Sequence, residues 1–516
     1  MSTANGLFKG RFKDFNGTIL FIMFYMSSCS FNFGYDVGNF SGVQGMQSFG
    51  KKFGEYDAQT GLWSLPAWLS SLMTSVPFFG KAAGALACGW VAEKWGRKVA
   101  IRCLIVLSFV GVILQTTATT AAQFTVGRVI AFAMTGFTII IVPIYQAEVA
   151  PKSVRGMLNS TLQMMIIFGQ VVAALVVLGT KNMEGDAGWR IPVGLQFVAP
   201  ALILAFYPLV PESPRWLLSQ NRVDEATKQL KRLRKESSDD QISAEIETLR
   251  MSSSNETKGT WKEVFNKENR IRTAVAVLAM FGQQATGQAF ISQYNVIFYQ
   301  SQGFAKQAFV FNLISPCLGI VCLLLTWFIV DAVGRRPLLL IGSTLMAIFL
   351  CVVGSVSTVP NPTQAAKEAM VASFMLFGCS FNLSWGPVSF VVVAEAAASR
   401  VKEKTNLLAG VISVITTFVT SFTIPYLINK RYAGLGGKIG FIYGGICVVM
   451  LILTWFFVPE LKGRSLEEID ELFASGAPLR KFGNVQTTRG EELYAGTKED
   501  PMDAEKQDAI RVTHQD

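Results

Sequence analysis

The sequence predicts an all-α membrane protein: twelve transmembrane helices in two pseudo-symmetric six-helix halves, joined by a partly helical central loop. Three observations carry that expectation. Only 16% of the 516 residues are charged and 51% are hydrophobic, where a soluble chain carries roughly 25% charge. Apolar runs of the length a bilayer crossing needs, about 20 residues, recur along the chain, with 124–145 and 435–458 among the clearest. One charged loop also occurs twice, as Gly96-Arg97-Lys98 and again 238 positions later as Gly334-Arg335-Arg336.

The elements follow in order. Residues 1–16 are polar and basic, show no cleavable signal and read as a cytoplasmic N-terminus. Six spans fit at 17–38, 65–92, 98–118, 123–148, 157–180 and 190–210, making 17–210 the first half. Residues 211–270 are rich in Lys, Glu, Ser and Arg, and 223–235 has helical spacing and strong helix formers, so a cytoplasmic, partly helical loop is expected. Six more spans fit at 271–299, 307–331, 337–358, 367–397, 404–428 and 437–458, making 271–458 the second half. Residues 459–516 form a cytoplasmic tail, expected to be disordered after Ser475.

Lysine and arginine sort the loops. The clusters at 94–98, 152–155, 335–336 and 400–404, with the central loop, form one basic set that faces the cytoplasm, taking both termini with it. The net charge of +10 belongs to these loops, so nucleic acid is not an expected partner. The eight cysteines lie in apolar segments without ligand spacing, which predicts neither a disulfide framework nor a metal site. The only histidine, His514, lies in the tail, which argues against histidine-based catalysis.

The duplication extends beyond the charged loop. YQAEVAPKSVRG carries Glu148 and Arg155 after the fourth span, and VVAEAAASRVKEK carries Glu395 and Arg400 after the tenth. PESPRWL begins at Pro211 and PELKGRS at Pro459. Three echoes at nearly one spacing indicate a repeated six-helix unit, and transporters built from repeats hold substrate between the halves near the bilayer midplane.

These motifs, with GYD at 34–36, GRV at 127–129 and QQ at 283–284, resemble in their order the sugar porter family of the major facilitator superfamily. QQATGQAFISQY and WGPVSFVVVAE are similar to fungal members, and the resemblance covers residues 15–473. It implies a major facilitator fold, no enzyme activity and no cofactor. It also implies transport of a sugar, polyol or sugar acid by alternating access, in a multi-pass plasma-membrane protein working as a monomer in the lipid bilayer. Proton symport is the expected mode. A uniporter, a non-transporting sugar sensor and a metabolite exporter are the alternatives; sensors of this kind carry a long signalling tail, and here 57 residues (460–516) follow the Pro459 motif start.

Each motif has an expected role. The arginines of the repeated loop can reach carboxylates at the adjoining helix ends, pairing Arg97 with Glu148 and Arg335 with Glu395. The resemblance implies that these contacts, with Glu93, Arg155, Asp331 and Arg400, latch the outward-open state and break as the halves rock; the plainer alternative is that loop arginines only orient the chain. Asp36 is an intramembrane carboxylate, costly and functional by default. The resemblance makes it the proton carrier and Arg128 its ion-pair partner, so that protonation would free Arg128; a static structural pair is the alternative. A proton moving down 100 mV supplies about 2.3 kcal/mol. Lys81, inside the second span, reads as a second partner for Asp36, as a contact for an anionic substrate or as a buried structural pairing.

For substrate, Gln163 and Gln170 lie seven residues apart and share a helix face, and Gln283 and Gln284 open the polar part of the seventh span. These four match the family's sugar-binding glutamines, since amides both donate to and accept from hydroxyls. Gln288, Gln293 and Tyr294 add polar and aromatic surface, and Phe381, Asn382 and Trp385 an apolar wall with one polar group. Ala289, Gly319, Phe390 and Ser413 stand where the family usually has polar or tryptophan contacts, so glucose is not implied. Asn39-Phe40-Ser41 is a glycosylation triplet, expected on the outer side of the first span.

Overall fold

The computed structural model describes residues 17–57, 61–149, 155–234, 238–255, 259–429, 431–464 and 466–484. Helices dominate, and ten are long and apolar enough to cross a membrane. The other two spans are interrupted. The second runs as Ala67–Ser75 and Pro77–Trp95, with Pro77 placed where a helix start tolerates its missing N–H. The seventh runs as Arg270–Ala285, Gln288–Gln293 and Asn295–Ser301, broken at Gly287, whose φ of 101° suits glycine. The tenth is jointed at Ser384, between Gln364–Leu383 and Trp385–Ala396.

The remaining spans are Gly17–Val43, Arg97–Thr116, Ala121–Val149, Arg155–Thr180, Ala187–Leu209, Ala308–Val333, Arg335–Val356, Lys402–Ile428 and Ile439–Phe457. A short antiparallel hairpin, Glu55–Asp57 with Leu62–Ser64, joins the first two spans. The first span runs five residues past its expected end at 38, to Val43, where a turn through Gln44 and Gly45 follows.

Packing repeats with the sequence. Span one lies on five and span seven on eleven; two lies on four and eight on ten; three lies on six and nine on twelve. Small residues permit the close crossings: a Cβ at Gly34 or Gly38 would collide with the backbone of Ile166 or Gln170. The halves meet through spans five with eight and two with eleven. Side-chain hydrogen bonds join the halves in the part of the bundle away from the repeated loops. They include Ser41–Asn295 at 2.8 Å, Gln44 to the Gln293 carbonyl, Gln300 to the Gly45 carbonyl at 2.8 Å, Ser71 to the Phe422 carbonyl at 2.8 Å and Lys181 to the Lys306 carbonyl at 3.4 Å.

The central loop carries helices Pro214–Ser219, Val223–Leu233, Asp239–Asn255 and Trp261–Val264. The tail is ordered further than Ser475. Helix Leu466–Ala474 and the turn Leu479–Asn484 fold together through Phe473 and Phe482, and Asp470 pairs with the buried Arg272 at the start of span seven. Residues 485–516 lie outside the described residues. All eight cysteines are free thiols.

Candidate functional site

The repeated loop builds the same device twice. Gly96 and Gly334, with φ of 96° and 106°, turn the chain sharply into the third and ninth spans. Arg97 then reaches Glu148 with two nitrogens, at 2.5 and 2.8 Å, and donates to the Ala92 carbonyl at 2.7 Å. Arg335 reaches Glu395 at 2.9 and 3.2 Å and donates to the Val330 carbonyl at 3.4 Å. The side chains are 12–22% exposed, sheltered enough for two-pronged arginine–carboxylate pairing to hold geometry.

One carboxylate missed in the sequence completes each copy. Glu212 accepts from the backbone N–H groups of Arg97 at 3.0 Å and Lys98 at 3.2 Å. Glu460 accepts from Arg335 at 3.1 Å and Arg336 at 3.0 Å. Each neutralises the orphan donors and positive dipole end of a helix start. Only a glycine leaves room: a Cβ on Gly96 or Gly334 would stand 2.7 or 2.6 Å from the carboxylate. Burial raises the Glu212 carboxyl above its ordinary range, partly opposed by the N–H groups of Ser213, Lys98 and Arg97. The signal for both residues was present in PESPRWL and PELKGRS, where a glutamate follows the first proline of each copy.

Among the described residues, one further member of the expected latch has a different partner. Arg400 turns instead to Glu263 of the central loop at 3.0 Å. The Thr260 backbone N–H, together with the Thr260 hydroxyl and the charges of Arg400 and Lys404, holds Glu263 below the usual carboxylate range against a smaller desolvation penalty. Arg400 is displaced because the segment Ser399–Val401 turns the chain toward that loop. Glu93 is exposed, and its carbonyl accepts the Trp216 indole N–H at 2.8 Å. The side chains of Arg155 and Asp331 lie outside the described residues.

Asp36 is 2% exposed within span one. Its expected ion pair with Arg128 is not formed among the described residues. Gln196 of span six donates to Asp36 Oδ1 at 2.9 Å, and Oδ2 has no hydrogen-bond partner. Arg128 donates to the Met73 carbonyl at 3.0 Å and lies 3.7 Å from the Phe40 ring centre, still within electrostatic reach of Asp36. The guanidinium is engaged instead by an aromatic face and a backbone carbonyl. Gln196, a lone amide in an apolar span, gave no periodic signal. Lys81 is not a second partner for Asp36; its ammonium stands over the Phe33 ring at 4.9 Å.

The expected substrate residues divide into two groups. Gln163, Gln170 and Gln288 are partly exposed, and their amides make no hydrogen bond among the described residues. Gln284 and Asn382 are also partly exposed, each spending one amide N–H group, on Gln283 at 2.9 Å and on the Gly378 carbonyl at 3.0 Å. Asn382 borders Gly319 of span eight, which also borders Ile167, so spans five, eight and ten converge between Gln163 and Gln170.

The second group is engaged inside the protein. Gln283 donates to the Gly386 carbonyl at 2.7 Å and so steadies Gln284. Gln293 accepts from Ser421 at 3.2 Å, and the Tyr294 hydroxyl donates to the Ser421 carbonyl at 2.8 Å; both sit where the halves close. Phe381 is 7% exposed. Trp385 corrects the expectation of a cavity wall: it is fully buried, with its indole N–H on Ser343 of span nine at 2.8 Å. An indole donor in an apolar interior needs a partner, and the joint at Ser384 turns the ring toward one. Asn39 is 2% exposed inside the first helix, so the glycosylation triplet is not presented on a surface loop.

Comparison with known proteins agrees with this architecture. Residues 22–473 match the sugar (and other) transporter family model. The chain is 32% identical over 457 residues to the high glucose sensor RGT2 of Saccharomyces cerevisiae, covering 86% of this chain but 59% of the sensor's own length. It is 29% identical over 488 residues to the major facilitator-type transporter ecdD of Aspergillus rugulosus, covering 91% and 90%. The xylose transporter XylE of E. coli, in a partially occluded inward-open conformation, superposes with a TM-score of 0.72 at 23% identity, over 87% of this chain and 100% of XylE. The chain belongs to the sugar porter family of the major facilitator superfamily, as a fungal-type multi-pass membrane member and not an enzyme.

Proposed function

We propose that this protein carries a sugar or polyol across the membrane by alternating access, coupled to a proton at Asp36. The observation that carries the coupling is the unsatisfied Oδ2 of a fully enclosed carboxylate whose other oxygen is held by Gln196. A proton can be accepted at Oδ2 without breaking any hydrogen bond, and its arrival cancels the attraction that reaches Arg128. Arg128 touches Phe40 of span one and Met73 of span two, two helices that also bond across to the second half. Charge at Asp36 is thereby linked to the closure between halves.

Polyhydroxy substrates suit the half-exposed amides Gln163, Gln170, Gln284, Gln288 and Asn382, drawn from both halves. The basic loops support an orientation with both termini cytoplasmic and the closed end of the bundle outside. The domain divisions at 17–210, 211–270 and 271–458 then correspond to two rocking bodies and a cytoplasmic strap.

Uptake of a labelled sugar and polyol panel in cells lacking their own sugar carriers, with and without a protonophore, tests this reading. Accumulation that collapses with the protonophore is expected; uptake indifferent to it would leave a uniporter. The similarity to a glucose sensor motivates a second reading, binding without transport. It predicts sugar binding by a surface-expressed protein that moves no substrate.

A further inference from the structure

Resting on the transport reading above, we propose that Lys81 anchors an anionic subsite in the central space and that the preferred substrate carries a carboxylate: a sugar acid.

Lys81 belongs to the second piece of span two, Pro77–Trp95. The exposed apolar residues of that piece, Phe79, Leu86 and Trp90, gather on one side at 3.6 residues per turn. Lys81 lies opposite them, on the face of the buried Phe78, Cys88 and Ala92. It therefore points into the bundle and not toward lipid, yet it remains partly exposed. A side chain that faces inward and keeps its exposure borders an internal space.

The neighbours locate that space. The Lys81 ammonium is 4.9 Å from the Phe33 ring centre. On span one, Gly34 packs on Ile166 and Gly38 on Gln170, so Phe33 stands at the level between Gln163 and Gln170. Those two glutamines are part of the unengaged amide set. The cation and the hydroxyl-binding groups thus share a depth in the bundle.

No carboxylate pairs with Lys81 among the described residues. Asp36 is held by Gln196, and its electrostatic partner is Arg128, not Lys81. A charge in the middle of a membrane protein is costly and faces a water-filled path or a partner, and one aromatic face offsets only part of that cost. A substrate carboxylate supplies the missing charge while its hydroxyls engage the amides. Lysine suits this role because its ammonium is a compact point charge that accepts varied carboxylate approaches.

The test is equilibrium binding of gluconate, glucose and sorbitol to the full-length protein in nanodiscs, for wild type, Lys81→Gln and Lys81→Arg. Wild type is expected to bind gluconate at least about tenfold more tightly than glucose. Lys81→Gln is expected to erase that preference, weakening gluconate by about tenfold relative to glucose, and Lys81→Arg to retain most of it. Equal wild-type affinity for gluconate and glucose overturns the anionic subsite and leaves the transport of neutral sugars standing; this comparison needs no variant to fold. Unchanged gluconate affinity in Lys81→Gln also overturns it. A folded wild type that binds none of the three overturns the transport reading together with the subsite.

Discussion

Gln196 Nε2 donates to Asp36 Oδ1 at 2.9 Å across 160 residues of sequence, while Oδ2 of the same carboxylate has no hydrogen-bond partner among the described residues. Asparagine at position 36 keeps an acceptor for Gln196 but cannot take up and release a proton. Asp36→Asn is therefore expected to retain substrate binding and exchange across the membrane while losing protonophore-sensitive accumulation. Accumulation by the variant at the wild-type level would remove Asp36 from the coupling step.

The Arg97–Glu148 pair lies wholly within the first half, with its side chains 15% and 13% exposed. Removing one partner leaves a sheltered charge uncompensated, a loss of about 3–5 kcal/mol for fully buried pairs and somewhat less here. Glu148→Gln should lower the unfolding midpoint of the detergent-solubilised protein. Adding Arg97→Gln should recover part of the loss, with a coupling of about 1–3 kcal/mol in the double-mutant cycle. If the pair is also a conformational latch, Glu148→Gln shifts the balance of outward and inward forms measured by spin-label distances; unchanged populations would confine the pair to stability.

Glu212 gives a pH signature. Its folded pKa is raised by burial, so its protonated form is favoured by folding. That contribution is fully present below the ordinary glutamate value of about 4.5 and is lost as pH rises through the higher folded value. Glu212→Gln should flatten this dependence. The check is the midpoint difference between wild type and variant from pH 4 to 7, expected to move in the variant's favour as pH rises.

The burial of Asn39 predicts no glycan at that position. Glycosidase treatment and Asn39→Gln should both leave the electrophoretic mobility of protein from a eukaryotic host unchanged.

Much of the site is legible in the chain's own pattern. The repeat spacing pairs Arg97 with Glu148 and Arg335 with Glu395, because motif order carries which loops are equivalent. The glutamines of spans five and seven are legible because polar side chains stand out in apolar helices. Gln283 and Gln284 show the limit of that signal. They are adjacent and chemically identical, yet one is spent on the Gly386 carbonyl and the other remains partly exposed.

The sequence by itself determined the twelve spans, the two-fold repeat and the charged turns, since hydropathy runs, glycine turns and repeat spacing are local properties of the chain. Tertiary structure alone decided that Asp36 meets Gln196 instead of pairing with Arg128, that Trp385 seeks Ser343, that Arg400 pairs with Glu263, and that Lys81 faces inward without a carboxylate. The physical reason is helix rotation: a turn of a few tens of degrees changes which side chain meets which neighbour, and that angle is set by the close packing of residues far apart in sequence, such as Gly34 on Ile166.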